Sequence, residues 1–223
     1  VRGGRPAGER PTDPAAFWEA RYRSTRGDHG QVWSGRVNAA VEREVAGLAP
    51  GTALDLGCGE GGDALWLAAH GWTVTAIDIS ATALAVGAAE AERAGVAERI
   101  DWVRADLATW EPSSEYDLVT SAFLHSPVEL PRDAVLRRAA SAVAPGGRLL
   151  VVGHGAAPPG SKLGHQGHQG PPLPTADEVL ASLRLDADWI IETSALVERA
   201  AIWRDGSEVT LVDAVLRVRR AAA

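Results

Sequence analysis

The 223 residues include one cysteine, Cys58, one lysine, Lys162, and no methionine. A lone cysteine closes no internal disulfide, so a reducing compartment, the cytoplasm, is expected. No apolar run approaches the roughly 20 residues that span a bilayer. Residues 1–12, with Arg2, Arg5, Arg10 and two prolines, lack the apolar centre of a secretory signal and read as a disordered lead. The formal charge of −7 argues against a non-specific grip on nucleic acid, whose affinity is largely phosphate neutralisation. Neither nucleic acid nor membrane is expected as a partner, and the number of subunits is not legible.

What is present is a rhythm. Near-continuous apolar runs at 52–56, 73–78, 100–104, 116–121 and 147–153 alternate with helical patterns at 61–70, 81–95 and 131–143. Strands apolar on both faces and separated by helices predict an α/β fold with a mostly parallel sheet and right-handed crossovers. Helices are also predicted over 14–23 and 35–47, flanking a polar loop at 24–34. After Gly153 the rhythm breaks into a stretch rich in glycine, proline and histidine, and 154–174 is expected to be a flexible loop. A short helix at 175–183 precedes two long strands, 189–202 and 208–219. Arg204-Asp-Gly-Ser joins them as an antiparallel hairpin. No linker separates two cores, so 13–223 reads as a single domain.

The chemistry concentrates at the ends of the strands. Asp55-Leu-Gly-Cys-Gly-Glu-Gly61 follows the first strand and leads into a helix. Glycine there permits positive φ and lets a ligand approach where a Cβ would collide. The unpaired amides of the loop and of the helix N-terminus then face that ligand. Such a turn suits the adenosyl end of a nucleotide-like cofactor, but nicotinamide and flavin sites share it. Asp78, roughly 20 residues past the first glycine, ends the second strand where a carboxylate can accept both ribose hydroxyls. Asp106 ends the third strand, Ser121 and Ala122 the fourth.

In order and spacing, Asp55 to Gly61, Asp78, Ala105-Asp106-Leu107 and Ala144-Pro-Gly-Gly147 resemble four blocks of the class I S-adenosylmethionine-dependent methyltransferases. Trp33-Ser-Gly-Arg36 and Gly59-Glu-Gly-Gly-Asp63 are similar to the small-molecule branch that includes tellurite-resistance and thiopurine-type enzymes. The resemblance implies a Rossmann-like seven-stranded methyltransferase fold, its parallel sheet closed by the C-terminal antiparallel hairpin. It implies S-adenosyl-L-methionine as cofactor and S-adenosyl-L-homocysteine as product. Asp55 would orient the loop amides or meet the ammonium through water, unless it only caps the turn. Gly57, Gly59 and Gly61 would form the cradle, with Cys58 a small packed residue inside it. Ile79 would lie on the adenine, Asp106 and the Leu107 amide would address its edge, and the Ser121 and Ala122 carbonyls would hold the ammonium. Residues 13–47 would form a lid over the cofactor, with Trp33 in it.

On the acceptor side, His125 is the general-base candidate, or simply a pocket wall. His154 is a second candidate. Trp18, Tyr22 and Arg36 are candidate substrate contacts; Arg36 would meet an anion, or is merely a surface charge. His165 and His168 are suitably spaced for a metal but have no cysteine nearby, so none is expected. The segment after the fourth strand, Ser121-Ala-Phe-Leu-His-Ser-Pro127, lacks an Asn/Asp-Pro-Pro-aromatic block and a magnesium-binding acid cluster. Nucleobase and catechol chemistry are therefore disfavoured. The expected reaction is in-line methyl displacement onto a small-molecule nucleophile, a thiol or other chalcogen. The alternatives are O- or N-methylation with His125 as base, a non-catalytic S-adenosylmethionine-binding protein, or an NAD-dependent oxidoreductase.

Overall fold

A computed structural model describes residues 13–24, 32–156, 173–202 and 208–222. The lead at 1–12, most of the 24–34 and 154–174 loops with His165 and His168, and the turn at 204–207 lie outside the described residues. The chain runs α1 (Pro14–Ser24), α2 (Ala39–Val45), β1 (Thr52–Leu56), α3 (Gly62–Ala69), β2 (Thr73–Asp78), α4 (Ala81–Ala94), β3 (Ile100–Arg104), β4 (Tyr116–Ala122), α5 (Arg132–Ser141), β5 (Val143–His154), α6 (Ala176–Leu183), β6 (Trp189–Ile202) and β7 (Glu208–Arg220).

The thirteen elements include seven strands in one sheet, ordered β3-β2-β1-β4-β5-β7-β6. Strands β1 to β5 are parallel, and β7 runs antiparallel to both β5 and β6. This is the methyltransferase-like architecture expected of the sequence. Strand order reverses between β1 and β4, so the loops leaving their carboxyl ends diverge and open a crevice there.

Side-chain alternation feeds two apolar layers. Leu54, Leu56, Val119, Leu149 and Val151 pack on the α5 and α6 side, whereas Ala53, Leu118, Leu150 and Val152 pack against α2 and α3. Several helix starts are fixed by side chains that satisfy amides the helix cannot. Ser80 accepts from the Ala83 N–H, and Thr175 with Glu178 forms a capping box.

Two elements differ from expectation. The helix foreseen over 35–47 begins only at Ala39, because Asn38 accepts the Ala40 and Val41 amides while its own N–H is held by Asp63. Strand β5 starts at Val143 rather than at 147. Tyr116 pairs with Val143, and an irregularity then shifts the register to Leu118 opposite Arg148.

Pairing of β5 with β7 ends at His154 opposite Asp213, yet β6 and β7 stay paired to Ile202 opposite Glu208. The hairpin therefore reaches past the carboxyl edge of β5. No described helix is long and apolar enough to cross a membrane.

Candidate active site

The turn after β1 is shaped by three left-handed glycines, Gly57 (φ 70°), Gly59 (φ 56°) and Gly61 (φ 82°). The Gly57 and Cys58 N–H groups both donate to Ile77 O, tying the turn to β2. A Cβ on Gly59 would stand 2.9 Å from the Tyr22 hydroxyl, and one on Gly57 2.8 Å from Leu124 Cδ1. Glycine is required at both positions because Tyr22 and Leu124 fill the space a Cβ would take.

Acids surround this turn. Asp55 is buried; its Oδ1 accepts from the Thr120 hydroxyl, and its Oδ2 has no partner among the described residues. Burial, reinforced by the Asp63 charge, raises the Asp55 carboxyl to about 8. Asp63, in the first turn of α3, is raised to about 6 by burial, against the Asn38 N–H it accepts. Asp78 accepts from the Gly59 and Ser80 N–H groups at 2.9 Å each. Burial still pushes its carboxyl up. Burial and then the Asp55 and Asp78 charges push the Cys58 thiol well up, so it holds its proton and is no nucleophile.

The amino-terminal elements lie across this turn. Glu19 of α1 accepts from the Ser80 and Thr82 hydroxyls, and the Thr82 bond chiefly lowers its carboxyl to about 2. Further along the crevice, Trp18 Nε1 donates to Ser126 Oγ at 3.3 Å. Buried Tyr22 accepts from Trp33 Nε1 at 3.0 Å, and the half-exposed Trp33 ring sits beside Gly59. Glu60, inside the glycine turn itself, accepts from the Val32 and Trp33 N–H groups. Changing Glu60→Gln keeps an acceptor but removes the charge. It should cost about 1 kcal/mol of stability and speed amide exchange at Val32 and Trp33; unchanged exchange would show that Glu60 does not hold this segment.

Asp106 folds back on its own loop, with Oδ1 accepting the Ala108 N–H at 2.9 Å. Leu107 is buried, and its Cδ1 lies 4.0 Å from the Gly57 Cβ position, so this loop adjoins the glycine turn. Ile79 is half-buried. Ser121 is buried with its hydroxyl unpartnered among the described residues, and Ala122 is half-buried beside it. Arg36 is a different matter. Its carbonyl lies 2.6 Å from the Gly62 Cβ position while its exposed side chain makes no ion pair among the described residues. Nothing ties that side chain to the histidines discussed next.

At the ends of β4 and β5 the His125 and His154 rings stack 5.6 Å apart, and Phe123 stacks on His154 at 4.4 Å. Phe123 holds φ 52°, a conformation that costs a non-glycine residue about 1–3 kcal/mol and that tends to be kept at functional sites. Burial lowers His125 to about 4, helped by the Arg132 and His154 charges. The His154 N–H approaches His125 Nε2 at 3.5 Å, so that nitrogen faces an amide. His125 is therefore neutral and a weak base. Burial lowers His154 as well, opposed by Asp213. Asp213 is itself buried and paired with Arg199 at 2.6 Å. No group of three or more histidine, cysteine or acidic side chains is set to hold a metal among the described residues.

Several residues here carried no signal of their own in the sequence: Glu19, Phe123, Arg132 and Arg199; Glu60 and Asp63 stood in the Gly59-Glu-Gly-Gly-Asp63 motif but with no role assigned. Asp213 did carry one. It is an acid inside Leu211-Val-Asp-Ala-Val-Leu216, an otherwise apolar strand, and such an acid must find a partner.

Comparison with known proteins agrees with this geometry. Residues 53–147 match the family model for a methyltransferase domain. A ribosomal RNA small subunit methyltransferase C of Alcanivorax borkumensis is 33% identical over 128 residues, 56% of this chain and 39% of that protein. A ubiquinone biosynthesis O-methyltransferase of Pseudomonas paraeruginosa is 35% identical over 116 residues, 52% of this chain and 49% of that protein. The matched region thus spans half or less of these two relatives. A solved structure described as "Conversion of a Disulfide Bond into a Thioacetal Group during Echinomycin Biosynthesis" is 26% identical, with a TM-score of 0.67 and 93% of each chain covered. The glycine turn, the strand-end acids and the closing hairpin occur together with this methyltransferase-domain match, which covers less than half of the chain, and the fold is that of the class I S-adenosylmethionine-dependent methyltransferases.

Proposed function

We propose that this protein moves a methyl group from S-adenosylmethionine to a small-molecule nucleophile, in the first instance a thiol or related chalcogen. The observation that carries this reading is a buried acidic cradle lying one strand end away from a neutral, weakly basic histidine pair.

The residues present suit the cofactor. The left-handed glycines shape the turn, and Asp55 Oδ2 and Ser121 Oγ are buried polar atoms without partners among the described residues. Gly57, Gly59 and Gly61 would cradle it, Asp78 would take the ribose hydroxyls, and Ile79, Asp106 and Leu107 would line the adenine. Asp55 with the strand end at Ser121 and Ala122 would face the ammonium. When bound, S-adenosylmethionine supplies an electrophilic methyl on a sulfonium, whose carbon–sulfur bond breaks as the nucleophile–carbon bond forms. The protein's part is alignment and exclusion of water. Trp18, Tyr22 and Trp33 cover the crevice from the α1 side, and the Trp33 face can also attract a cation.

A base near 4 such as His125 takes a proton poorly from a hydroxyl but is not needed by a thiolate. That favours sulfur over oxygen, and the structural relative described above also concerns a sulfur substrate. Oxygen transfer has one specific support, the buried Asp213 that opposes the lowering of His154. In that case His154 rather than His125 is the base. Calorimetry with S-adenosylmethionine, S-adenosylhomocysteine and NAD tests the cofactor, and turnover across thiols, phenols and amines tests the acceptor. Binding of NAD alone would defeat the proposal, and phenol turnover without thiol turnover would transfer it to oxygen.

A proton should also move. Free Asp55, near 8, holds its proton at pH 7. A cationic ligand beside it favours the carboxylate, so binding at pH 7 should release a proton and tighten as pH rises from 6 toward 8. Calorimetry in two buffers of different ionisation enthalpy reads that proton directly. Asp55→Asn should abolish it; undiminished release in the variant would clear Asp55 of the role.

A further inference from the structure

Beside the stacked histidines one positive charge has no ion-pair partner among the described residues. Arg132 opens α5 and is half-buried. Its Nε donates to Leu124 O at 3.2 Å, and it makes no ion pair among the described residues. Its neighbour Asp133 is exposed and opposes the lowering of the guanidinium by burial without reversing it. The other nearby cation, Arg199, is already matched by Asp213. The absence of a side chain at Gly153 is what brings the groups together. Around the point where its Cβ would stand lie His125 Nε2 at 3.4 Å and Arg132 Nη2 at 3.9 Å.

A half-buried cation at the amino end of a helix is opposed both by desolvation and by the helix dipole. It becomes favourable when an anion completes it. With Nε committed to Leu124 O, both Nη groups can meet an oxyanion end-on, in the paired geometry that carboxylates offer to arginine. The overall charge of −7 supplies no long-range attraction for such a group, so recognition has to be local.

We infer that Arg132 anchors an oxyanion, in the simplest case a carboxylate, carried by the methyl acceptor, placing the acceptor beside His125 and Gly153. This rests on the methyl-transfer reading and narrows its substrate class.

The test uses 3-mercaptopropionate and its neutral amide, each titrated into the protein saturated with S-adenosylhomocysteine and each assayed for methyl transfer. Saturable binding of the acid, tighter than the amide by at least about tenfold, is expected for the wild type. Arg132→Gln should erase that preference, and Arg132→Lys should restore part of it because the charge remains without the fork. Equal binding of acid and amide by the wild type, no saturable binding of the acid up to its solubility limit, or a preference undiminished in Arg132→Gln would each overturn the inference. If neither variant folds, the wild-type comparison of acid with amide still decides. The methyl-transfer reading fails separately: preferential binding of the acid with no transfer to any nucleophile would defeat that reading and leave the anion site standing.

Discussion

Gly61→Ala should be among the most damaging single changes in this protein. Gly61 holds φ 82°, and a Cβ there would lie 2.3 Å from Trp102 Cη2 and 2.8 Å from Cζ3. The indole cannot simply retreat, because a Cβ position on Gly87, across the gap, is only 2.5 Å from the same Cη2. Two costs combine: about 1–3 kcal/mol for left-handed backbone in a residue with a Cβ, and about 1–3 kcal/mol for overpacking. Urea unfolding should therefore show a loss of about 2–6 kcal/mol, with the glycine turn displaced and cofactor binding lost. The pair Gly61→Ala with Trp102→Leu separates the two, since a smaller side chain relieves the clash but not the backbone strain. Partial recovery is expected. A single variant within about 0.5 kcal/mol of wild type would mean that Trp102 does not fill this gap.

Asp78→Ala should have the second largest effect, and it should act in two ways. Its carboxylate accepts the Gly59 and Ser80 N–H groups, so truncation leaves two buried donors without an acceptor. That predicts a stability loss of about 1–3 kcal/mol. The proposed ribose contact adds a further loss of about 1–3 kcal/mol in cofactor affinity, the range for hydrogen bonds to a charged group. Asp78→Asn separates the roles. Its single side-chain oxygen can accept one of the two amides while its NH2 faces the other, so stability should return only in part while affinity for S-adenosylhomocysteine stays reduced. Full affinity in Asp78→Asn would remove the ribose assignment.

Both predictions concern positions that were legible in the sequence. Glycine is needed wherever the chain turns left-handed, and an acid at a strand end is visible wherever an apolar run stops on Asp55, Asp78 or Asp106. These are local rules, because φ and strand termination are set by residues adjacent along the chain. The strand rhythm and the hairpin were legible for the same reason. The starts of α2 and β5 differ from expectation because Asp63, which holds the Asn38 cap, and Tyr116, which pairs with Val143, act from distant parts of the chain.

The sequence by itself determined the alternating fold, the glycine turn and the resemblance to methyltransferases. Only the tertiary structure decided that Glu60 holds the Val32 and Trp33 amides, that Glu19 docks on the start of α4, that burial leaves His125 a weak base, and that Arg132 lies beside Gly153 without an ion pair among the described residues. The physical reason is that burial and charge pairing depend on which distant segments become neighbours. A backbone preference is carried by its own residue, whereas the proton affinity of a histidine or the need of an arginine for a counter-ion is created by what surrounds it.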